Sequence, residues 1–313
     1  MAADRVKFQT RIKKGERSKE KWDHPALVIF FVAPALLVTA GFIAYPAVMS
    51  VFFSLHRVGG AALSRTYVGL ENWERLFADP VIWQCIWHTV FLIVVTVFIE
   101  IPLAFGVALI LARAKVFGRD IYRTAFFFPV VLSVTVAGVL WSWVYNPQYG
   151  ILNEGLRAIG LSGLAKPWLA KSNLVLPAVT FVIVWKYIGL YIVIFMAAVA
   201  SIPQNIYDVA ALDGTNLWQQ AVYVIAPMLR EVFVVTVAIG ITASIHRFDL
   251  VYIMTTGGPI HHSEVLATYM YKQAFLSLDV GYASTVAFFL FVLTLGLVVT
   301  QIQSMKNREA VEF

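Results

Sequence analysis

The chain has 313 residues, of which 60% are hydrophobic and only 13% are charged. Soluble globular domains contain roughly 45–50% apolar and about 25% charged residues, so this composition excludes a water-soluble globule. The net charge of +6 does not indicate a nucleic-acid partner, because eight of the 24 basic residues lie within the first 21 positions. We interpret residues 1–25 as a basic cytoplasmic tail that contacts membrane lipid, and residues 26–313 as one transmembrane domain.

Apolar runs long enough to cross a bilayer recur along the rest of the chain. A hydrocarbon core about 30 Å thick needs roughly 20 apolar helical residues. The runs therefore predict an all-α, polytopic membrane protein with about six transmembrane helices. The predicted spans, in chain order, are residues 26–55, 86–112, 124–145, 174–200, 228–246 and 282–304.

The Lys and Arg residues outside these spans predict the orientation of the chain. With Arg230, which lies at the edge of span five beside the loop 201–227, fifteen basic residues are on the side that carries both termini, and eight lie on the other side, in longer loops. Cytoplasmic loops are enriched in basic residues. We therefore expect both termini, and the loop 201–227, to be cytoplasmic.

Turn and capping residues mark the outer loops. Asp79 followed by Pro80 is a cap and first-turn pair that predicts the start of the second span. Asn153 is a candidate cap for a short helix after the third span. The fifth loop contains TTGGPIHHSE at 255–264, and such irregular backbone is tolerated at membrane depth only beside protein or a watery cavity, so we expect it to approach a pathway. A solvated interface accounts for His246, Arg247 and Asp249 at the outer end of span five.

The stretch 202–227 interrupts the hydrophobic pattern without becoming a loop. Its residues predict a helix that ends at Gly214, followed at once by a second helix. Asn216 is a helix cap, and Gln219, three residues later, completes a capping box. Pro227 then ends or kinks the second helix.

The first of these two helices is predicted to be amphipathic. Pro203 suits its first turn, and Asp208 lies on a different side from the apolar stripe. The stripe consists of Ile202, Ile206, Val209 and Ala210. A helical element of this kind in a cytoplasmic loop is a candidate docking surface for a partner protein.

At this stretch the chain resembles the inner-membrane permease subunits of binding-protein-dependent ABC importers, in the carbohydrate branch with maltose-type and glycerol-phosphate-type permeases. That family carries Glu-Ala-Ala, three residues, Gly, nine residues and Ile-x-Leu-Pro; here the residues are 208–210 (Asp-Val-Ala), Gly214 and 224–227 (Val-Ile-Ala-Pro), with the spacing kept. Further matching motifs are YVGLENW at 67–73, RTAFFFPVVLS at 123–133, YGILN at 149–153, the stretch 185–189, FDLVYIMTTGGP at 248–259 and GYAS at 281–284.

The resemblance implies a type I ABC importer permease fold in a bacterial-type inner membrane. It also implies a second homologous permease, two ATPase subunits and an external solute-binding protein that delivers a carbohydrate-type substrate. The stretch 202–227 would be the coupling helix that docks on an ATPase. The residues implied in coupling are Tyr207, Asp208, Val209, Ala210, Ala211, Asp213, Gly214 and Pro227. The chain has no Gly-x-x-x-x-Gly-Lys-Ser/Thr motif, so we expect it to be no enzyme and to hold no cofactor, with ATP and Mg bound by the partners.

Charged and aromatic side chains inside the spans are candidates for the substrate pathway. Glu100 and Lys186 each cost about 2.5–3.5 kcal/mol in a bilayer centre unless they find partners or water, so each either pairs with a neighbouring helix or lines the pathway. Sugar rings pack on aromatic faces, although any one of these aromatic residues could equally face lipid or another helix. The pathway candidates are Trp141, Tyr145, Trp185, Lys186, Tyr187, Tyr191, Gly257 and Gly258.

Other chemistry receives little support from the residues. His261 and His262 are adjacent but have no third ligand at useful spacing, so we assign no metal. Cys85 is the single cysteine, and we expect it to be a small buried apolar residue. The alternatives are an importer permease for glycerol phosphate or another small solute, an ion-coupled secondary transporter, and a membrane-embedded enzyme. A secondary transporter would be expected to show internal repeats and no coupling helix.

Overall fold

A computed structural model describes residues 25–59, 64–113 and 118–309 of the chain. The predicted basic tail lies outside the described residues. Contacts divide the chain into two compact units, Met1–Met49 and Ser50–Phe313. The first unit contains helix α1, a π-helical turn and the beginning of helix α2. The remaining helices and one strand pair belong to the second unit.

The helices in chain order are α1 (Pro25–Thr39), α2 (Tyr45–Ser54), α3 (Glu71–Ala78), α4 (Pro80–Val95), α5 (Ile101–Arg113), α6 (Arg119–Val131), α7 (Val134–Val144), α8 (Ile151–Ala158), α9 (Ser172–Ala200), α10 (Gln204–Leu212), α11 (Leu217–Gln219), α12 (Ala226–Met228), α13 (Arg230–Ile245), α14 (Asp249–Thr255), α15 (Leu266–Tyr271) and α16 (Val280–Glu309). The π-helical turns are Ala40–Ala44, Thr96–Glu100, Gln220–Ile225 and Lys272–Leu276, and one 3-10 turn covers Ser162–Leu164. The strands are β1 (His56–Gly59) and β2 (Ser64–Tyr67).

The described residues contain four continuous helices that are long and apolar enough to cross a membrane. They are Ile29–Ser54, Pro80–Ala112, Ser172–Ala200 and Val280–Gln301. Two bent pairs, Asp120–Val131 with Val134–Val144 and Leu217–Met228 with Arg230–Ile245, raise the number to six if each pair is one span. Helices therefore occur at all six predicted spans. The second span begins at Pro80 rather than at 86, because the Asp79 side chain caps the helix there and accepts the Val81 N–H at 2.9 Å.

The third and fifth spans differ from the straight helices expected from their hydrophobicity. Helix α6 contains Pro129 and stops before Leu132, whose backbone is extended, and Ser133 then caps α7 through the Val136 N–H. The two halves meet at 101°. In the fifth span the 79° bend lies at Leu229, just after Pro227. Hydrophobicity does not report these breaks, because the residues on both sides are apolar.

Helix α9 is the central element of the second unit. In its most apolar stretch of 18 residues, 56% of the residues are buried. It packs against α5 and α6, and through its N-terminal half against α7 and α14. Its two ends carry the outer loop before Ser172 and the stretch after Ala200, so it connects the two ends of the unit.

The outer loops contain two features that the sequence analysis did not predict. An antiparallel hairpin pairs His56 with Tyr67 and Gly59 with Ser64, so the chain is not purely helical. Asn153 is not a cap, because Gly150 occupies that position of α8. Its buried amide instead donates to the Lys166 carbonyl at 3.0 Å and closes the loop, a role that depends on the tertiary fold.

Candidate functional site

The stretch after α9 folds as the predicted helix, glycine turn and second helix. Helix α10 ends at Leu212, and Gly214 has a φ of +72°, a conformation that side chains with a Cβ rarely adopt. Asn216 and Gln219 form the predicted capping box, with both hydrogen bonds at 2.9 Å. The second arm continues to Met228, beyond Pro227. We name residues 202–228 the coupling segment.

One side of the coupling segment is fixed to the helix ends of the second unit. Tyr207 is buried, and its hydroxyl donates to the Val199 carbonyl at the end of α9 at 3.2 Å. A small apolar core joins this side to α5, α9 and α13. Its members are Val199, Ile202, Tyr207, Ile225 and Leu229, with Phe105, Leu109, Ala112, Ala198, Ile206, Val232 and Phe233 around them. The segment is therefore packed against the C-terminal end of α9.

The other side of the coupling segment exposes apolar side chains. Val209, a member of the predicted apolar stripe, is 58% exposed. The buried arc contains Ile206, Tyr207 and Ala210, and Val209 lies about 100° away from its centre at roughly 100° per residue. Leu212, Leu217, Trp218 and Tyr223 are also exposed, with Leu212 at 87%. Contiguous exposed apolar side chains are typical of a protein interaction surface.

Five further coupling candidates, two of them aspartates, lie on this exposed surface. Asp208, Ala211, Asp213, Gly214 and Pro227 are all exposed. Asp208 accepts a hydrogen bond from the Gln204 side chain at 3.0 Å, one helical turn earlier. Tyr207 and Ala210 are buried and support the surface from behind. The structure thus separates the eight candidates into an outer and a supporting group.

Three of the aromatic pathway candidates form one cluster between α7 and α9. The Trp141 ring lies 5.3 Å from Tyr145 and 5.4 Å from Trp185, centroid to centroid. The Tyr145 hydroxyl donates to the Ala178 carbonyl at 3.3 Å. A cavity of about 400 Å³ adjoins the cluster. Its lining includes Trp141, Tyr145, Leu152, Trp168, Pro177 and Phe181.

Lys186 lies where the third span breaks. Its side chain is buried, and the ammonium group donates to the carbonyls of Pro129 at 3.2 Å and Leu132 at 2.6 Å. These carbonyls belong to the end of α6, where no further helical turn supplies donors. Lys186 therefore caps α6 and has a structural partner of the kind that a buried charge requires.

Glu100 lies fully buried in the π-helical turn between α4 and α5. One carboxylate oxygen accepts the Thr96 hydroxyl at 3.1 Å, and the other has no hydrogen-bond partner among the described residues. Tyr191 is also buried, and its hydroxyl lies close to Gly240, against which Thr96 also packs. Glu100 thus faces α9 and α13 and does not reach a span end.

Arg247 adds a charge that the sequence analysis placed at a solvated interface. Its guanidinium lies 4.1 Å from the centroid of the Tyr187 ring, and its Nε has no hydrogen-bond partner among the described residues. It interacts electrostatically with both Glu100 and Lys186. Arg247 therefore lies against Tyr187 of α9, whereas His246 and Asp249 are exposed as expected. Only its position before the FDLVY motif could have drawn attention to it.

Gly257 and Gly258 lie in an irregular loop between α14 and α15. Gly257 has a φ of +79°, and a Cβ there would lie 2.6 Å from the carboxylate carbon of Glu264. Glu264 is fully buried and was not singled out from the sequence. His261 donates to this carboxylate at 2.6 Å. Within the described ranges, no group of three His, Cys, Asp or Glu side chains could hold a metal.

A polar cluster joins α3, the start of α4, α15 and the start of α16. Asp79 accepts the hydroxyls of Tyr269 at 2.6 Å and Tyr282 at 2.7 Å. Arg75 lies 3.9 Å from the centroid of the Tyr282 ring and donates to Asp279 at 2.6 Å. Burial opposes the charge of Arg75, but the hydrogen bond and charge of Asp279 raise its pKa overall. Burial and the hydrogen bond to Asp79 raise the pKa of Tyr269.

Known proteins resemble the chain over nearly its full length. A permease named as a probable ABC transporter permease, YurN of Bacillus subtilis, is 35% identical over 282 residues, which are 88% of this chain and 95% of the relative. The lactose transport permease LacF of Rhizobium radiobacter is 30% identical over 89% of this chain and 94% of its own length. Both alignments therefore cover most of this chain and most of each relative.

Solved structures show the same fold. A chain of the bacterial alginate ABC transporter, solved with an alginate-bound periplasmic protein, superposes with a TM-score of 0.78 at 20% identity. The superposition covers 91% of this chain and 96% of that chain. This fold is that of an ABC importer permease.

The family profile agrees with both comparisons. The profile of the binding-protein-dependent transport system inner membrane component matches residues 80–309. The match contains the second to sixth spans, the coupling segment and the Glu264 loop. The chain belongs to the family of binding-protein-dependent transport system inner membrane components.

Proposed function

We propose that this permease is the membrane subunit of an ATP-driven importer that takes up a sugar or sugar derivative delivered by an external solute-binding protein. Relatives named for lactose, diacetylchitobiose and sulfoquinovosyl glycerol support the substrate class. The aromatic cluster of Trp141, Tyr145 and Trp185 supports it as well, because sugar rings pack on aromatic faces. The observation that carries the proposal is the coupling segment.

The coupling segment has the properties of a docking lever. Its supporting side is packed on the ends of α5 and α9, so a force on the segment acts on the spans directly. Its outer side exposes Val209, Leu212 and Trp218, which in a complex would be covered by an ATPase subunit. Two such ATPase subunits would bind ATP and Mg, and a second homologous permease would complete the pathway. This chain would then be a transport subunit and not the enzyme.

The distribution of charge supports the orientation that this role requires. Basic residues are concentrated on the side of the termini and of residues 201–227. In a bacterial-type inner membrane that side is the cytoplasm, where the ATPase subunits would lie. The loops that carry Asn153 and Glu264 would then lie on the external side of the membrane.

Proline at Gly214 tests the coupling role. Gly214 has a φ of +72° and open space around the position of a Cβ, whereas proline is restricted to a φ near about −65°. We expect Gly214→Pro to distort the turn, so that the assembled complex loses most of its substrate-stimulated ATP hydrolysis. Asp208→Arg should weaken the same docking surface without changing the turn. ATPase activity and uptake are measured on reconstituted complexes.

Gly160 provides the matched control for this experiment. It also has a positive φ, +80°, and no neighbouring atom within 4 Å, but it lies in the outer loop before α9. Gly160→Pro should therefore disturb the backbone to a similar extent and leave ATP hydrolysis coupled to uptake. Normal substrate-stimulated ATPase activity in both Gly214→Pro and Asp208→Arg would contradict the proposed coupling.

A further inference from the structure

Glu264 is a buried carboxylate that the proposed coupling mechanism does not use. Its side chain is fully buried, and Oε2 accepts hydrogen bonds from His261 Nδ1 at 2.6 Å and from Lys272 Nζ at 2.7 Å. The other oxygen, Oε1, has no hydrogen-bond partner in the described part of the chain. A buried carboxylate requires such partners, so these contacts join the loop before Glu264 to the helical turn after it.

The loop that Glu264 follows has an unfavourable backbone. Thr256, Ile260 and His261 have φ values of 51°, 43° and 63°. The first two are β-branched, and such residues rarely adopt a positive φ, so this loop needs contacts that hold it in place. Gly257 lies directly against the Glu264 carboxylate, where a Cβ would be 2.6 Å away. The carboxylate therefore contacts both ends of the strained segment.

Helix α4 holds the same loop from the other side. His88 donates to the Glu264 carbonyl at 2.7 Å, and Gln84 lies 3.4 Å from His262, measured from Nε2 to Nδ1. The coupling segment packs on Leu109 of the same continuous helix, Pro80–Ala112. At 1.5 Å per residue, the 21 residues from His88 to Leu109 span about 31 Å, roughly the thickness of a bilayer core. The loop thus lies at the opposite end from the coupling segment.

We propose that Glu264 is a positioning residue for solute entry, which holds the loop Thr256–Ser263 in one conformation at the outer end of the pathway. This inference rests on the proposed function, which makes that end the site of solute delivery. The loop presents Ile260, which is 82% exposed, at its tip. A loop that meets an incoming binding protein or its solute must have a defined shape, because each ordered contact otherwise costs conformational entropy on binding.

A spin label at the tip of the loop tests the positioning directly. Cys85 is the single native cysteine and is fully buried, so Ile260→Cys provides one accessible labelling site. In the assembled transporter we expect an immobile label, and Glu264→Gln in the same background should make it clearly more mobile. Glu154→Gln is the control, because Glu154 is exposed and pairs with the exposed Arg157 in a different loop. An equally immobile label in the Glu264→Gln variant would overturn the inference.

Kinetics separate positioning from a general loss of structure. We expect Glu264→Gln to raise the KM for the substrate-loaded binding protein about tenfold, and to change the kcat of ATP hydrolysis less than twofold. Lys272→Met leaves the buried carboxylate with His261 as its remaining donor. We therefore expect Lys272→Met to raise the KM more than the double variant Lys272→Met/Glu264→Gln does. An unchanged KM in the Glu264→Gln variant would overturn the inference. A higher KM in the double variant than in Lys272→Met alone would overturn it as well.

Two further results complete the test. If the Glu264→Gln complex does not assemble, the KM of the Gly257→Ala variant is measured instead, because the added methyl group would displace the same carboxylate. An unchanged KM in the Gly257→Ala variant would overturn the inference. A wild-type complex that no binding protein stimulates would refute the proposed function, and this inference with it. An active wild-type complex with an unaffected Glu264→Gln variant refutes the inference alone.

Discussion

At the scale of single residues, the buried charges are satisfied by atoms that are distant in the sequence. Lys186 and Glu100 both lie inside predicted spans, and the insertion cost of a charge predicts that each has a partner. Lys186 has two, the carbonyls of Pro129 and Leu132. Glu100 has the Thr96 hydroxyl and the electrostatic influence of Arg247. The need for partners was predictable, whereas their identity was not.

Replacing Lys186 by methionine separates its structural role from a transport role. Lys186→Met leaves two carbonyls at the end of α6 without their donor, so we expect the free energy of unfolding to fall by about 1–3 kcal/mol for each unsatisfied group. The loss is measured as a lower Tm of the solubilised complex. The exposed Lys171, replaced in the same way, is the control and should leave the Tm unchanged. An unchanged Tm for Lys186→Met would contradict the capping role, and unchanged uptake in vesicles would remove Lys186 from the substrate site.

At the scale of elements, local capping signals are reliable and the contacts between elements are not visible in the sequence. The Asp79–Pro80 pair begins α4 as predicted, and the Asn216 and Gln219 capping box forms as predicted. Each of these involves residues within three positions of one another. The hydroxyls of Tyr269 and Tyr282, which also bind Asp79, lie 190 and 203 positions away. Asp79 therefore starts α4 and also connects α4 to α15 and α16.

Alanine at Asp79 tests both parts of this role. Asp79→Ala removes the cap and the acceptor of two tyrosine hydroxyls, and we expect the free energy of unfolding to fall by about 2–4 kcal/mol. Asp79→Asn is the matched variant, because its amide oxygen still caps the helix while its amide nitrogen cannot accept the two tyrosine hydroxyls, so the loss should be smaller than for Asp79→Ala by the contribution of the cap. Thermal unfolding of the purified complex measures both. Equal losses for the two variants would show that the cap contributes nothing.

At the scale of the whole molecule, the two surfaces to which we assign a function lie at opposite ends of the same helices. Helix α9 ends in the coupling segment, and its first turn follows the outer loop. The continuous helix Pro80–Ala112 contacts the Glu264 loop near one end and the coupling segment near the other. A movement at one end can therefore reach the other through packed helices, which is what coupled transport requires.

Cross-linking tests this arrangement in the assembled transporter. Leu212 is 87% exposed on the coupling segment, and Leu161 is exposed in the outer loop. Because the native cysteine is buried, Leu212→Cys and Leu161→Cys each provide one reactive site. We expect Leu212→Cys to cross-link to an ATPase subunit and Leu161→Cys not to do so. The same ATPase cross-link from Leu161→Cys, or none from Leu212→Cys, would contradict the proposed assembly.

The sequence by itself determined the features that depend on neighbouring residues. The helices at the six spans, the glycine turn at Gly214 and the helix caps follow from hydrophobic runs and short-range hydrogen bonds. The family also followed from the sequence, because its motifs are contiguous. Most residues of the candidate site can therefore be identified from the sequence alone.

Only the tertiary structure decided how those positions are used. It exposed Val209, bent the third span by 101°, gave Lys186 its carbonyls 54 and 57 positions away and placed Glu264 against Gly257. None of these has a local signal, since a helical period does not say which side meets a neighbour and an apolar run does not report a bend. These features depend on which distant residues come into contact in the folded chain, because buried polar atoms must find hydrogen-bond partners there. Those contacts are set by the tertiary packing.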